Sequence, residues 1–199
     1  GVKTVRGDFD PEEIAKRADQ PKLVADVVQT WLRRAGGRRT ICFATNIAHS
    51  KDLVREFQRY GVVAEHLDCY TGKGAEETVT RREVIDRFRS GQTMVLCNVD
   101  IVSKGFDVPL VSCIIQARPT KSLMVHIQQV GRGLRIADGK TECLFLDHAG
   151  NHERLGFIDG DLPVFLHGGD KKFKNGGASV EREEPLPKPC PSCDFLKPA

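Results

Sequence analysis

Residues 40–67 read TICFATNIAHSKDLVREFQRYGVVAEHL, and this stretch decides the fold. The short apolar run Thr40–Ala44 predicts a buried strand, and Val62–Leu67 predicts a second one. Between them, apolar residues recur at helical spacing over Ala48–Tyr60, and Gly61 is placed to end that helix. A strand, a helix and a second strand joined by short connections form the repeating unit of a parallel sheet.

The same alternation continues on either side of this stretch. Asp10, followed by Pro11 and by Glu13, is typical of a helix start. Trp31 lies on the apolar side of the next helix, where we expect it in the core and not in a ligand site. We predict helices at Pro21–Ala35, Thr80–Arg89 and Ser122–Val130, and strands at Met94–Cys97, Ser112–Ala117 and Cys143–Leu146. This pattern predicts an α/β domain whose mostly parallel central sheet is covered on both faces, with ligands at the carboxyl ends of its strands.

The composition is that of a folded protein that stays in water. The chain has 199 residues and 22.1 kDa, with 40% hydrophobic residues, 29% charged residues and a mean hydropathy of -0.32. No stretch approaches the roughly 18 uninterrupted apolar residues of a membrane helix, and the start GVKTVRGDFD lacks the apolar core of a signal peptide. We therefore expect a cytoplasmic chain with no membrane partner.

Charge and composition change after His148. The net charge of 30 − 27 = +3 permits a polyanionic partner without requiring one. We expect a lead-in whose helices pack on the main domain at residues 1–38, the folded domain at residues 39–148, and an irregular, loop-rich C-terminal extension at residues 149–199.

Five of the seven cysteines lie in or beside apolar runs and are predicted to be free, buried thiols: Cys42, Cys69, Cys97, Cys113 and Cys143.

The chain contains no phosphate-binding loop of the form GxxxxGK[ST]. The sequence Gly139-Lys140-Thr141 comes nearest, but Gly133 is one residue too far upstream, and the segment precedes a predicted strand instead of following one. We therefore predict a plain turn there. No Asp-Glu pair is present to bind magnesium either, so the chain alone is not expected to hydrolyse a nucleotide.

The segment SLMVHIQQVGRGLR, residues 122–135, could bind a polyphosphate. Gln128, Arg132 and Arg135 would share one face if the helix continued. Gly131 and Gly133 are expected to end the helix early and leave the arginines on a tight turn. Guanidinium groups donate in a planar fork that fits phosphate oxygens. On charge alone, a solvated basic helix end explains this segment as well. A buried stripe is predicted at Leu123, Ile127, Val130 and Leu134.

Two more segments follow predicted strands. In NVDIVSKGFDVPL, residues 98–110, Gly105 permits an unusual backbone angle, Ser103 and Lys104 offer phosphate donors, and Asp107 can accept hydrogen bonds from ribose hydroxyls. An ordinary loop is the alternative. The segment FATNIAHS has three polar residues that can hold a phosphate backbone: Thr45, Asn46 and Ser50.

Taken in order, these segments resemble motifs IV, V and VI of superfamily two helicases. The likeness is to the second motor domain of DEAD/DEAH-type DNA helicases, which share their motor with type I and type III restriction enzymes. It covers residues 40–148 and depends most on Gln-x-x-Gly-Arg-x-x-Arg at residues 128–135 and on Gly-Phe-Asp-Val-Pro at residues 105–109.

The resemblance implies a RecA-like three-layer domain, the second of two, with ATP and Mg bound in a cleft shared with an N-terminal RecA-like domain. Arg132 and Arg135 stand in the place of the arginine fingers that contact the γ-phosphate. Asp107 stands where the family's motif V acid reaches the ribose, and Gln128 where it helps to position the fingers. The residues implied to lie beside the nucleotide are Gly105, Asp107, Gln128 and Gly131.

The resemblance also implies contacts with the sugar-phosphate backbone of DNA, either single-stranded or duplex. Such contacts position a motor without reading sequence. Val99 stands where many RNA-directed relatives have threonine, which weakens an RNA assignment. The residues implied to face the nucleic acid are Thr45, Asn46, Ser50, Asn98, Ser103 and Lys104.

The C-terminal sequence KPCPSCDFLKP is typical of one zinc-ribbon knuckle. Cys190 and Cys193 would supply two of the four ligands that a structural zinc site needs, so we expect zinc only in a longer chain with a second pair. Asp147, His148 and His152 are poorly spaced as further ligands.

Three functions follow from these features. The first is the C-terminal motor domain of an ATP-dependent DNA helicase or translocase, inactive as a fragment. The second is a non-catalytic nucleic-acid-binding module on a helicase scaffold. The third is a zinc-ribbon interaction module, which metal analysis of a longer chain would identify.

Overall fold

A computed structural model describes residues 4–5, 7–10, 13–14, 21–73, 79–99, 107–157, 159, 188–189 and 196–197. In chain order, its strands are β1 (Thr4–Val5), β2 (Asp8–Phe9), β3 (Thr40–Phe43), β4 (Ala64–Leu67), β5 (Val95–Asn98), β6 (Cys113–Gln116), β7 (Leu144–Asp147), β8 (Lys188–Pro189) and β9 (Leu196–Lys197). Its helices of five or more residues are α1 (Pro21–Ala35), α2 (Ile47–Arg59), α3 (Arg81–Ser90), α4 (Leu123–Gly131) and α5 (Asn151–Leu155).

Five of these strands form one parallel sheet in the order β4-β5-β3-β6-β7. Of these five strands, β3 comes first in the sequence and lies at the centre of the sheet. Its Thr40 is paired with Val95 on one side and with Cys113 on the other. The fold class predicted from the sequence is thereby confirmed, because a mostly parallel sheet lies between helices. The predicted bounds of the sheet strands and of the first four helices lie within two residues of the observed ones.

Alternating side chains of β3 separate two hydrophobic clusters. Cys42 packs with α1 and α2 on one face of the sheet, whereas Ile41 and Phe43 pack with α3 on the other. Both faces are therefore buried, as continuously apolar strands require. Trp31 of α1 is a core residue, as predicted; it is 2% exposed, and its Nε1 donates to Oγ1 of Thr40 at 2.7 Å.

Side-chain caps explain where several helices begin. The Asn46 side chain accepts from the amide of His49 at the start of α2, and Ser122 caps α4 through the amide of Val125. Thr80 and Glu83 form a reciprocal capping box at the start of α3. These caps place the ends of α2 and α4 beside the carboxyl ends of β3 and β6.

All five thiols that we predicted to be buried are free, but only three of them are buried. Cys42, Cys97 and Cys113 are buried and free, and Cys143 is half-buried and free. Cys69 is exposed, because it lies in the turn after β4, where the chain has already left the sheet.

The packed structure continues beyond residue 148, where we placed the start of the extension. In α5, Asn151 and His152 are buried, and the Asn151 side chain bonds the main chain at Arg118 and Thr120. Farther on, β8 and β9 pair in antiparallel fashion, with Lys188 opposite Lys197. The part of the chain that the structure describes contains no helix long and apolar enough to cross a membrane.

Candidate nucleotide and nucleic-acid sites

The loop from β3 to α2 lies at the carboxyl edge of the sheet, by which we mean the ends of its parallel strands. It carries two residues predicted to contact nucleic acid, Thr45 and Asn46, both half-buried. Thr45 Oγ1 lies 2.9 Å from Nδ1 of His49, and Asn46 Oδ1 accepts from the His49 amide at 2.7 Å. These short-range bonds fix the loop before any ligand arrives.

Two other predicted contact residues lie inside the domain. Ser50 is 0% exposed and its Oγ lies 2.7 Å from Nδ1 of His66, while Asn98 is 3% exposed and donates to the Cys42 carbonyl at 3.0 Å. In this structure both side chains hold helix and strands together, and neither is presented at the surface. Their contact with nucleic acid stays a prediction.

Several predicted site residues lie outside the described residues. They are Ser103, Lys104 and Gly105 of the motif V segment, and Cys190 and Cys193 of the knuckle. Zinc binding therefore stays a prediction.

The arginines lie away from the carboxyl edge. Helix α4 begins there at Leu123 and runs back for nine residues, about 13 Å at 1.5 Å per residue. It ends at Gly131, and the arginine turn, residues 132–135, follows. A Cβ built on Gly133 would lie 2.8 Å from Ile114 and 3.3 Å from Phe145, near the amino-terminal ends of β6 and β7. The arginines therefore lie away from the carboxyl ends, where we expected the chemistry, because a helix separates them from that edge.

Gly133 and Gly131 have different surroundings. The Cβ built on Gly133 would also lie 2.5 Å from the Cys143 sulfur, so this glycine lets the turn sit directly on the sheet. Among the described residues, a Cβ on Gly131 would meet no atom within 4 Å. Close packing against the sheet thus explains Gly133, whereas packing against the described residues gives no reason for Gly131.

The arginine turn meets the end of the motif V segment. Arg135 Nη1 forms an ion pair and hydrogen bond with Oδ1 of Asp107, 28 residues earlier in the chain. Burial lowers the pKa of Arg132, the positive charge of Arg135 lowers it further, and Asp107 acts in the opposite direction. Gln128, one turn before Arg132, is exposed. The structure therefore brings Asp107 and Arg135 into contact, and both of their charges act on the pKa of Arg132.

Lys140 is a residue whose role the sequence did not reveal. We predicted a plain turn at residues 139–141, but Lys140 Nζ donates to the carbonyl oxygens of Gly133 (2.6 Å), Arg135 (2.7 Å) and Pro109 (3.1 Å). Burial lowers its pKa. No sequence signal could have identified these acceptors, because every residue carries a carbonyl group.

The buried side of α4 is partly polar. Gln116 of β6 donates to Gln129 at 2.8 Å and lies 3.2 Å from Nδ1 of His126. The predicted apolar stripe is wrong at Leu134, which is 53% exposed because the helix ends three residues earlier. Burial and the neighbouring charge of His152 lower the pKa of His126 to about 4.

The described residues contain no group of three or more His, Cys, Asp or Glu side chains that could hold a metal ion. His152 Nδ1 is instead paired with Asp147 at 3.1 Å. The described site thus offers guanidinium donors for phosphate oxygens, which fits ATP, but it offers no ligand cluster for the accompanying magnesium.

Comparisons with known proteins show the family to which the chain is similar. The family model "Helicase conserved C-terminal domain" matches residues 21–137. A 51.5 kDa protein of a Lactococcus phage is 34% identical over 99% of this chain and 41% of its own length. A putative mitochondrial ATP-dependent helicase of Schizosaccharomyces pombe, irc3, is 33% identical over 74% of this chain and 24% of its own. A fragment of a putative HsdR subunit of a type I restriction enzyme from Vibrio vulnificus superposes with a TM-score of 0.59 at 18% identity, over 75% of this chain and 31% of that one.

The chain therefore belongs to the helicase C-terminal domain family. It spans less than half the length of these relatives. The matched proteins include some named as RNA helicases, so membership of the family does not choose between DNA and RNA.

Proposed function

We propose that this chain is the C-terminal motor domain of an ATP-dependent DNA helicase or translocase. Arg132 and Arg135 would contact the γ-phosphate of Mg-ATP held by an N-terminal RecA-like domain, with Gln128 and Gly131 beside the nucleotide. The observation that carries the proposal is the contact between Arg135 and Asp107, because it joins the two segments implied to bind one nucleotide.

The ion pair suits this chemistry. A carboxylate presents two oxygens to a guanidinium group much as a phosphate does. Asp107 can therefore balance the charge of Arg135 until a nucleotide phosphate replaces it, and the Asp107 carboxylate can then accept from the ribose hydroxyls. Arginine fingers act on charge that develops in the transition state, so their loss lowers kcat.

Nucleic acid would be held at the carboxyl edge of the sheet, where α4 begins, whereas the arginine turn follows the end of α4. Thr45 and Asn46 lie at a helix N-terminus, where main-chain amides and the helix dipole favour phosphate. Such contacts give affinity without reading sequence. The two sites would then lie at opposite ends of one helix.

The test uses the longer protein that joins this chain to an N-terminal RecA-like domain. We expect ATP hydrolysis stimulated by single-stranded DNA, and a fall in kcat of about 10³- to 10⁵-fold in Arg132→Ala and in Arg135→Ala. Arg33→Ala, an exposed arginine near the end of α1, is the matched control and should leave kcat unchanged. ATPase activity indifferent to both fingers would refute the assignment.

The same assay distinguishes the alternatives. DNA and RNA strands of one sequence should differ in stimulation, with DNA the stronger; the reverse order would make the substrate RNA. A non-catalytic binding module would bind either strand with no ATP hydrolysis in the longer protein. The isolated chain is expected to hydrolyse no ATP.

A further inference from the structure

Lys140 is held in a geometry that uses its whole ammonium group. The turn that carries it is closed by the Lys140 amide, which donates to the Ala137 carbonyl at 3.1 Å, and Gly139 has a φ of 75°. The ammonium group has three N–H donors and no acceptor. All three find a main-chain oxygen, at Gly133, Arg135 and Pro109.

These oxygens belong to two different segments. Two lie in the arginine turn, and the third follows Asp107 by two residues. Three carbonyl dipoles that converge on one point repel one another, so a positive charge among them stabilises the arrangement. The part of the chain described by the structure shows no carboxylate bonded to Lys140 Nζ, so this positive charge acts on the backbone.

A lysine suits this place better than an arginine. Its ammonium is a compact charge that can donate in three directions from the end of a flexible stem, whereas a guanidinium donates within one plane. The contacts also lie just beyond the C-terminus of α4, where the helix dipole favours a cation.

We propose that Lys140 is a positioning residue, whose ammonium group fixes the arginine turn against the segment of Asp107 and so sets the direction in which Arg132 and Arg135 point. Gly133 anchors the turn on the sheet from one side, and Lys140 ties its carbonyls from the other. This inference rests on the proposed function for its effect on catalysis, but its geometric part does not.

The geometric part is tested on this chain by hydrogen exchange. In the structure the amides of Arg132 and Gly133 donate to the carbonyls of Gln129 and Val130. We expect Lys140→Met to speed their exchange by about tenfold or more, because local opening becomes easier once the tie is lost. Lys22→Met, at an exposed lysine of α1, is the matched control. Unchanged exchange in Lys140→Met would overturn the proposal.

The catalytic part is tested in the longer protein. Lys140→Met should lower kcat roughly 10- to 100-fold, the cost of misplacing a catalytic group by about an ångström, with the KM for ATP nearly unchanged. In Lys140→Ala, added propylammonium should restore part of kcat, whereas tetramethylammonium, which has no N–H donor, should not. Equal effects of both ions, or a change in KM alone, would contradict a positioning role. Faster exchange in a protein whose wild type hydrolyses no ATP would refute the proposed function and leave the tie in place.

Discussion

The carboxyl edge and the arginine turn are held by different kinds of contact. At the carboxyl edge, buried side chains bond to strands and helices, as Asn98 does to the Cys42 carbonyl and Ser50 to His66. The arginine turn is held by the hydrogen bonds that Lys140 Nζ donates to its carbonyl oxygens and by the ion pair of Arg135, whose partner Asp107 is 66% exposed. Bonds among buried groups form with the fold itself, whereas an exposed ion pair such as that of Asp107 can be exchanged. The first region is therefore preformed, whereas the exposed ion pair of the second can be replaced by what binds there.

Helix α4 runs between the two regions, and its buried side contains a histidine, His126, whose pKa burial lowers. His126 is 0% exposed, and its Nε2 lies 3.2 Å from the Gly156 carbonyl. A buried, neutral imidazole resists protonation, because the charged form would lose its hydration. Acid should therefore destabilise the packing beneath α4.

The largest stability effect is expected from acid. The pKa of His126 is lowered to about 4, so between the ordinary value near 6.5 and pH 4 the unfolded chain binds a proton that the folded chain does not. Stability should fall by about 1.4 kcal/mol per pH unit in that window, roughly 3 kcal/mol in all. Urea unfolding followed by the fluorescence of Trp31, the chain's one tryptophan, measures it.

His126→Gln is the informative variant for this slope, because glutamine keeps a polar side chain but cannot take up a proton. We expect a shallower loss between pH 6.5 and 4.5. Some slope should remain, because burial also lowers the pKa of His148. If both proteins lose stability equally over this range, His126 is not the group responsible.

The second prediction separates the two glycines of the arginine turn region. Gly133→Ala should destabilise by about 1–3 kcal/mol, the usual cost of overpacking, since its Cβ would lie 2.5 Å from the Cys143 sulfur. Gly131→Ala should be neutral or slightly stabilising, because alanine is the better helix residue by up to about 1 kcal/mol and the added methyl group meets no atom of the described residues within 4 Å.

Adding Cys143→Ala to Gly133→Ala should restore part of the lost stability, because it removes the nearest clashing atom. Ile114 Cγ1, 2.8 Å from the built Cβ, explains why the recovery should be incomplete. Equal costs at Gly131 and Gly133 would show that the turn does not rest on the sheet as described.

The sequence predicted the strands well and the placement of the site less well. Cys42, Ile114 and Val95 lie in short apolar runs between helices of clear period, and such runs leave only a two-sided buried sheet as an explanation. The same pattern could not show that a polar pair, Gln116 and Gln129, would lie under α4. That contact depends on which side chains of β6 and α4 face each other in the folded chain.

The site residues show the same limit. A rule for parallel sheets placed all of the chemistry at the carboxyl edge, but the length and direction of α4 put Arg132 and Arg135 beyond its other end. Lys140 was missed because its partners are carbonyl oxygens. Ser50 matched a motif, yet it is buried, and its Oγ lies 2.7 Å from Nδ1 of His66 on β4.

The third prediction tests whether the carboxyl edge is preformed. Asn46→Ala should cost about 1 kcal/mol in stability, because it removes the side-chain cap of α2. Asn46→Asp keeps a capping oxygen and should keep the stability, but it places a negative charge where we propose a phosphate. Fluorescence anisotropy should then show weaker binding of single-stranded DNA by Asn46→Asp than by the wild type. Unchanged affinity in this variant would remove Asn46 from the proposed contact.

The smallest stability effect is expected at Asp107. An exposed ion pair contributes about 0–1 kcal/mol, so Asp107→Asn should change the unfolding free energy very little, and added salt should erase the difference. Asp86→Asn, at an exposed carboxylate paired with Arg89 on α3, is the matched control. In the longer protein the two variants should differ in ATP binding. Asp107→Asn should weaken it, because the ribose acceptor is lost, whereas Asp86→Asn should leave it unchanged. If Asp107→Asn were instead costly to folding and harmless to ATP binding, the ion pair of Arg135 would belong to the fold as the buried bonds of the carboxyl edge do, and the contrast between the two regions would fail.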